Sequence, residues 1–189
     1  MPHTIEPATT GRSKCRACGE TIAKGVLRFG ERLPNPFGEE GSETTHWYHV
    51  RCGAFRRPES FLEAADLCTV DLEDAPSLRA AAAFGVAHRR VPRIDSVDRA
   101  PSSRARCRAC HDMIERDTWR IGIVFFEEGR TSPGGYLHAA CSRRYFETEP
   151  RDDDALLDRL HHFGNTLTPE NLTSLARLLD ASAIGDSTP

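Results

Sequence analysis

Two small α+β units in tandem are what this sequence predicts, each a short antiparallel sheet with helices on its C-terminal side. Three observations carry the prediction. A Cys-x-x-Cys … His-x-x-Cys pattern occurs twice within 189 residues. The two occurrences stand at a nearly constant offset, 92 residues at the Cys-x-x-Cys half and 89 at the His-x-x-Cys half. Hydrophobic residues make up only 39% of the chain and aromatics 7%, which makes one deep core a poor solution.

The first set is Cys15, Cys18, His49 and Cys52; the second is Cys107, Cys110, His138 and Cys141. The tetrapeptide Cys-Arg-Ala-Cys is the same in both. Two residues between ligands let one tight turn aim both thiolates at a single ion. The His-x-x-Cys pair fits the first turn of a helix, where positions i and i+3 share a face. Three thiolates and one imidazole fill a tetrahedral zinc shell and leave no open position for water or substrate. Two structural zinc ions per chain are therefore expected. Cys68 is left over and reads as a small apolar residue in a helix or just beyond one. His46 and His111 adjoin ligands but lie out of register with them.

The repeat runs past the ligands. Arg12 and Arg104 each stand three residues before the first cysteine of their set, and Arg28 and Arg120 ten residues after the second. Gly30 and Gly122 follow two residues later. Ile121 to Phe126 is a β-branched and aromatic strand, with Glu127 to Arg130 as its turn. Leu33 to Gly38, with two prolines and an asparagine, reads as a loop in the first copy. Trp47-Tyr48 and Tyr136-Leu137 lead back on a short strand to each His-x-x-Cys helix.

Helices follow each unit. Pro58 to Leu67 is a short one. Asp74 to Phe84 is alanine-rich, with Pro76 tolerable in its first turn and Gly85 as its stop. Asp152 to Phe163 carries Leu156, Leu157, Leu160 and Phe163 as an apolar stripe. Thr168-Pro169 opens a last helix with Leu172, Leu175, Leu178 and Leu179 at helical spacing. The expected organisation is a first domain over 8–86, a linker over 87–103 and a second domain over 104–181.

The summed charge decides nothing about partners. The net charge is −3, yet the basic set holds 23 arginines and two lysines, and what matters for a polyanionic partner is the field of each face. Arginine supplies planar forks suited to bidentate phosphate or base contacts.

The run Gly11-Arg12-Ser13-Lys14-Cys15-Arg16-Ala17-Cys18-Gly19-Glu20-Thr21-Ile22, then Val26-Leu27-Arg28, then His46-Trp47-Tyr48-His49-Val50-Arg51-Cys52, resembles the poly(ADP-ribose) polymerase-type zinc finger. That finger type also occurs in a eukaryotic DNA ligase. The resemblance covers about residues 11–84 and, with a different loop, 104–180. It implies binding of DNA nicks, gaps and ends, largely without sequence preference. It implies a DNA-backbone contact at Arg12 and Arg104, and a DNA-facing strand at Arg28 and Arg120. An apolar pair at the tip of the long insertion maps to Phe37, with Leu33 assisting, in the first copy, and to Phe125 or Phe126 in the second.

Independent chemistry points the same way. Recognition of a break needs charge-assisted contacts for positioning and an apolar platform for bases that have lost a neighbour. Arg12, Lys14 and Arg16 form a basic alternation that Arg104, Arg106 and Arg108 repeat; the bland reading of both is a solvated surface. Arg56-Arg57 and Arg143-Arg144 are secondary candidates. Trp47 and Trp119 read as core.

No Gly-rich phosphate loop, His-Glu-x-x-His or nucleophile elbow is present, so no enzyme is expected. No apolar stretch of membrane-spanning length occurs, and MPHTIEPATTGRSKC has no signal-peptide core. The expected setting is intracellular, cytoplasmic or nucleoid-associated in a prokaryote. The expected partners are interrupted DNA and a DNA-repair enzyme. The alternative is a zinc-stabilised protein-interaction module that uses the outer helix faces.

Overall fold

The computed structural model describes residues 2–35, 37–39, 41–127, 129–164 and 167–181. The chain divides into two compact units, Met1–Ala87 and His88–Pro189. Each is a three-stranded antiparallel sheet followed by helices, as the repeat predicts.

In the first unit β1 (Thr4–Pro7), β2 (Leu27–Pro34) and β3 (Glu43–His49) lie side by side in that order, followed by α1 (Val50–Arg56), α2 (Pro58–Asp66) and α3 (Ala75–Ala87). Side chains alternate across a strand, so Ile5, Phe29 and Tyr48, which stand opposite one another in register, share a face. Helices cover that face. Phe29 stacks on Tyr48 at 5.8 Å and meets the edge of Phe61 in α2 at 5.7 Å. Phe29 and Phe61 are fully buried, and each burial contributes about 1.5–3 kcal/mol. On the same face the fully buried Glu31 accepts from Arg57 Nε at 2.7 and 2.9 Å and from Ser60 Oγ at 2.9 Å, which ties β2 to the start of α2.

In the second unit β4 (Ile94–Arg99), β5 (Trp119–Glu127) and β6 (Arg130–His138) form the sheet. A 3-10 turn at Ala139–Cys141 leads into α4 (Ser142–Phe146), then come α5 (Asp153–Phe163) and α6 (Pro169–Ala181). The core is aliphatic: Val97, Ile114, Ile121, Ile123, Leu137, Leu156, Leu160, Leu175 and Leu179 are buried. The Thr168-Pro169 start behaves as expected. Thr168 Oγ1 accepts from the Asn171 backbone N–H at 3.3 Å, capping α6. Trp119 is buried, its Nε1–H donating to Ser174 Oγ at 3.3 Å.

Three local readings differ from the sequence expectation. The stretch 87–103, read as a linker, contains a 3-10 turn at Val91–Arg93 and the whole of β4, which pairs with β5 from Ile94↔Ile123 to Arg99↔Trp119. A register shift between Ile94 and Ser96 turns both Ile94 and Val97 inward, so the strand shows no period-two pattern. Leu33 and Pro34, placed in a loop, close the end of β2 opposite Thr44 and Glu43. Gly85 does not stop α3, which runs on to Ala87 with Gly85 buried. Cys68 lies half-buried just past α2.

Candidate metal centres and nucleic-acid interface

Each unit brings its four predicted ligands together: Cys15, Cys18, His49 and Cys52 in one, Cys107, Cys110, His138 and Cys141 in the other, with all donor atoms of a cluster within 4.8 Å of one another. The first pair of cysteines sits on a turn between the first and second strands of its sheet. The histidine ends the last strand, β3 or β6, and the final cysteine is three residues on, in the helical turn that follows. A tetrahedral zinc with bonds of about 2.3 Å to sulfur and 2.0 Å to nitrogen separates S from N by roughly 3.6 Å. In the first cluster Cys18 Sγ and Cys52 Sγ lie 3.4 and 4.0 Å from His49 Nδ1. In the second, Cys110 and Cys141 lie 3.4 and 3.9 Å from His138 Nδ1. The donors fit.

The surroundings prepare the ligands. Cys15 and Cys107 each accept a backbone N–H at 3.4 Å, from His49 and His138 respectively. His138 Nε2 lies 3.1 Å from the Met113 carbonyl. A carbonyl only accepts, so Nε2 carries the proton and Nδ1 keeps its lone pair for a metal. Cys15 is held down to about 4, chiefly because Cys52 donates to it. Cys52 is pushed strongly up by that same hydrogen bond and by burial, and Cys18 up by burial and by the Cys15 charge. Cys107 settles at about 7, where burial is outweighed by N–H donors, while burial and the Cys107 charge push Cys141 up to about 12. A cation held by either cluster would offset the repulsion among its thiolates.

The basic residues fall into two groups. Arg12, Lys14 and Arg16 are exposed, as are Arg104, Arg106 and Arg108. Among the described residues none of Arg12, Lys14, Arg16, Arg104 or Arg108 has an acidic partner, and Arg106 donates to the His111 carbonyl at 3.2 Å. The strips are not continuous strands. Only Lys14 and Arg106 form β-bridges, to Thr21 and Met113, with their neighbours in turns.

Arg28 and Arg120 are not on the surface with them. Arg28 is 6% exposed, with its guanidinium carbon 3.4 Å from the Trp47 ring centroid. It donates to Glu6 Oε1 at 2.7 Å and to Ser13 Oγ at 2.9 Å. Arg120 is held by both oxygens of Asp98, at 3.0 and 2.8 Å, over the Tyr136 ring at 3.8 Å. Both charges are matched within their own units, by Glu6 and Asp98. Trp47 is half-buried and packs against the core of the first unit, with its ring over Gly30, where a Cβ would come within 2.6 Å of it.

Phe37 is 81% exposed in the β2–β3 loop, and Leu33 is half-buried at the end of β2. Phe125 and Phe126 are both half-buried, with the Arg93 guanidinium 4.9 Å from the Phe125 ring. Of the secondary candidates, Arg56 is buried, Arg57 is taken by Glu31, and the buried Arg143 is paired with Asp153. Arg144 is exposed.

The sequence that builds these units is similar to that of known proteins. Residues 6–82 match the poly(ADP-ribose) polymerase and DNA-ligase Zn-finger region. The chain is 27% identical over 162 residues to poly [ADP-ribose] polymerase 1 of Gallus gallus, covering 76% of this chain and 16% of that one. It is 25% identical over 145 residues to poly [ADP-ribose] polymerase of Drosophila melanogaster, covering 67% and 14%. A shorter match, 37% over 68 residues, is to poly [ADP-ribose] polymerase 1 of Oryza sativa subsp. japonica. The chain thus spans about a sixth or less of these relatives, and the region matched is their zinc-finger region and not a catalytic one. No helix among the described residues is long and apolar enough to cross a membrane.

Sequence reasoning missed the acidic partners of Arg28 and Arg120. The signal was present: Thr4-Ile5-Glu6-Pro7-Ala8 and Ser96-Val97-Asp98-Arg99-Ala100 stand at the same 92-residue offset. They match as hydroxyl, β-branched, acid, any residue, alanine. Ile5 and Val97 face Phe29 and Ile121, and Ala8 and Ala100 are buried.

Proposed function

We propose that this protein binds DNA at interruptions of the duplex, at nicks, gaps and ends, through two units each held by a structural zinc ion. The observation that carries the reading is the presence, within the first unit, of cations at Arg12, Lys14 and Arg16 that have no acidic partner among the described residues, together with an aromatic ring that is 81% exposed at Phe37. An intact stack covers its base faces, whereas a terminus or a kinked nick exposes one to a ring such as Phe37. The cations sit near the metal end of the β2–β3 hairpin and Phe37 near its tip. Strand rise makes that separation roughly 20 Å, about six base steps of a duplex. The resemblance to fingers of poly(ADP-ribose) polymerases supports the same partner.

Zinc, when bound, supplies no reaction; it fixes the turn that presents Arg12 to Arg16 against β3, where the Arg16 N–H meets the Trp47 carbonyl at 2.9 Å. Arg28 and Arg120 act as supports under this surface, and Arg104, Arg106 and Arg108 form the matching phosphate strip of the second unit. Among the described residues the second unit exposes no aromatic ring as Phe37 is exposed. The first unit accordingly reads the opened base face, with Leu33 behind Phe37, while Phe125 and Phe126 stay supporting. A DNA-repair enzyme working at the same break is the protein partner this implies.

Competition binding at stated salt, between a closed duplex and the same duplex nicked, tests the reading. Preference for the nicked form is expected; equal affinity sinks break recognition. The rival, a protein-interaction module, is favoured by a groove of about 560 Å³ lined by Val26, Leu27, Val50, Leu72 and Leu78. It predicts no salt-dependent DNA complex at all.

A further inference from the structure

The second unit holds a polar cavity of about 300 Å³ that the zinc site does not use, lined by Arg90, Arg93, Arg108, Ala109, Arg144 and Tyr145. Four arginines line one small space. Arg90 donates to the Tyr145 carbonyl and pairs with Glu147, both at 3.1 Å. Arg93 donates to the Tyr145 hydroxyl at 3.3 Å, which leaves that hydroxyl's own proton free to point into the cavity. Among the described residues neither Arg108 nor Arg144 has an acidic partner. After the Arg90–Glu147 pair is set aside, the other three arginines have no acidic partner among the described residues. Like charges gathered this closely are a standing cost that a bound anion removes.

The cavity is built from parts of the unit that are distant in sequence. Arg90 and Arg93 come from the turn before β4, Arg108 from the metal turn, and Arg144 and Tyr145 from α4. Arg108 is laid across β6 at Gly135, whose φ of +94° suits glycine and where a Cβ would stand 3.3 Å from the arginine's stem. The first copy lacks the arrangement. At the 89-residue offset Arg144 and Tyr145 correspond to Phe55 and Arg56, and both of those are buried. The cavity is therefore a property of the second unit and not a by-product of the repeat.

We propose that this cavity binds a phosphate monoester. A monoester carries about −1.5 to −2 at neutral pH and three terminal oxygens, which answer those three guanidinium forks; an internal phosphodiester carries −1 and offers two free oxygens. A volume at the low end for ligand pockets admits the end of a chain or a small ester more readily than a strand passing through. Arg108 belongs both to the cavity and to the surface strip of the second unit. A terminal phosphate seated there lies at the edge of the DNA path; this source rests on the DNA-binding reading, whereas the cavity itself does not.

The test uses the zinc-loaded full chain. Inorganic phosphate is titrated calorimetrically against chloride at constant ionic strength, and saturable binding at one site is expected. Arg144→Gln, a change at an exposed position, weakens it about tenfold, the loss of one charge-assisted contact, and Arg93→Gln does likewise. Arg116→Gln, at an exposed residue paired with Asp117 outside the cavity, leaves it unchanged. In a second arm, nicked duplexes with a 5′-phosphate or a 5′-hydroxyl compete. Preference for the phosphorylated nick that Arg144→Gln abolishes assigns the site to strand ends. Equal binding of the two nicks beside saturable phosphate binding assigns it to a small phosphate ester. Absence of saturable phosphate binding, or binding indifferent to both substitutions, overturns the cavity. A protein that saturates with phosphate yet ignores nicks overturns the break-binding proposal alone.

Discussion

Arg28 lies flat on Trp47, 3.4 Å from the ring centroid, while Glu6 and Ser13 hold its nitrogens from the side. The second unit repeats the bracket with Arg120, Tyr136 and Asp98. In each unit the arginine stands directly opposite the histidine of the Cys/His cluster in register, Arg28↔His49 and Arg120↔His138. The bracket therefore links the first strand to the last in both units and, through Ser13, reaches the turn before Cys15 in the first; its geometry is set by a planar cation.

From this, Arg28→Lys keeps the charge and loses both the stacked plane and the fork. We expect the first unit to lose about 1–2 kcal/mol, the range of a desolvated cation–π contact. Each unit holds one tryptophan, so in a Trp119→Phe background the emission of Trp47 during urea unfolding reports the first unit. An unchanged midpoint contradicts the bracket's role.

The two glycines under the rings should respond differently. A Cβ on Gly30 meets the Trp47 ring at 2.6 Å and Thr4 at 3.0 Å, whereas one on Gly122 meets only the Ser96 hydroxyl below 3.4 Å. A hydroxyl rotates aside and an indole wedged against an arginine does not. Gly30→Ala is expected to cost about 1–3 kcal/mol as overpacking and to shift Trp47 emission. Gly122→Ala, measured the same way through Trp119, costs clearly less.

The two Cys/His clusters are legible in the sequence because metal chemistry imposes short fixed spacings, and the α6 start because Thr168-Pro169 is a local signal. β1 and β4 are not legible by periodicity. β1 is only four residues long, and β4 carries a bulge between Ile94 and Ser96 that breaks the alternation. The 92-residue offset holds the missing information, since it pairs Glu6 with Asp98. The burial of Arg28 is not legible either. Its neighbours Leu27 and Phe29 say nothing about an acid 22 positions away, and tertiary pairing alone decides whether an arginine is a support or a contact.

Removing one metal ligand should unmake one unit. Metal analysis of the protein purified without added zinc is expected to give two zinc ions per chain, and Cys52→Ser one. Metal-binding free energy is folding free energy in small sites of this kind. Trp47 should become solvent-like in that variant while Trp119, buried in the other unit, keeps its folded emission. Two ions retained in Cys52→Ser refute the ligand set.

The buried Glu31–Arg57 pair is expected to be costly to break and cheap to replace. Glu31 is fully buried, and Arg57→Met strands its carboxylate, with a cost of about 3–5 kcal/mol. At the 92-residue offset the second unit has Ile123 in place of Glu31, buried in an apolar setting. Glu31→Ile combined with Arg57→Met should recover most of the loss, read as the urea midpoint by Trp47 emission. A double variant as unstable as the single one means the pair does more than fill its site.

Phosphate contact and base contact separate by their salt dependence. A phosphate contact releases a counterion, so each of Arg12→Gln, Lys14→Gln and Arg16→Gln should weaken nicked and closed duplexes alike. Each should also lower the slope of log K against log salt by about one. Phe37 carries no charge and stands 81% exposed. Phe37→Ala should leave the slope untouched and reduce affinity for the nicked duplex alone, by about tenfold, within the 1–3 kcal/mol that a stacked base loses on truncation of its ring. Arg28→Gln is the control between them. Its charge is already matched by Glu6, so a slope change approaching one in that variant would place Arg28 among the phosphate contacts and not among the supports.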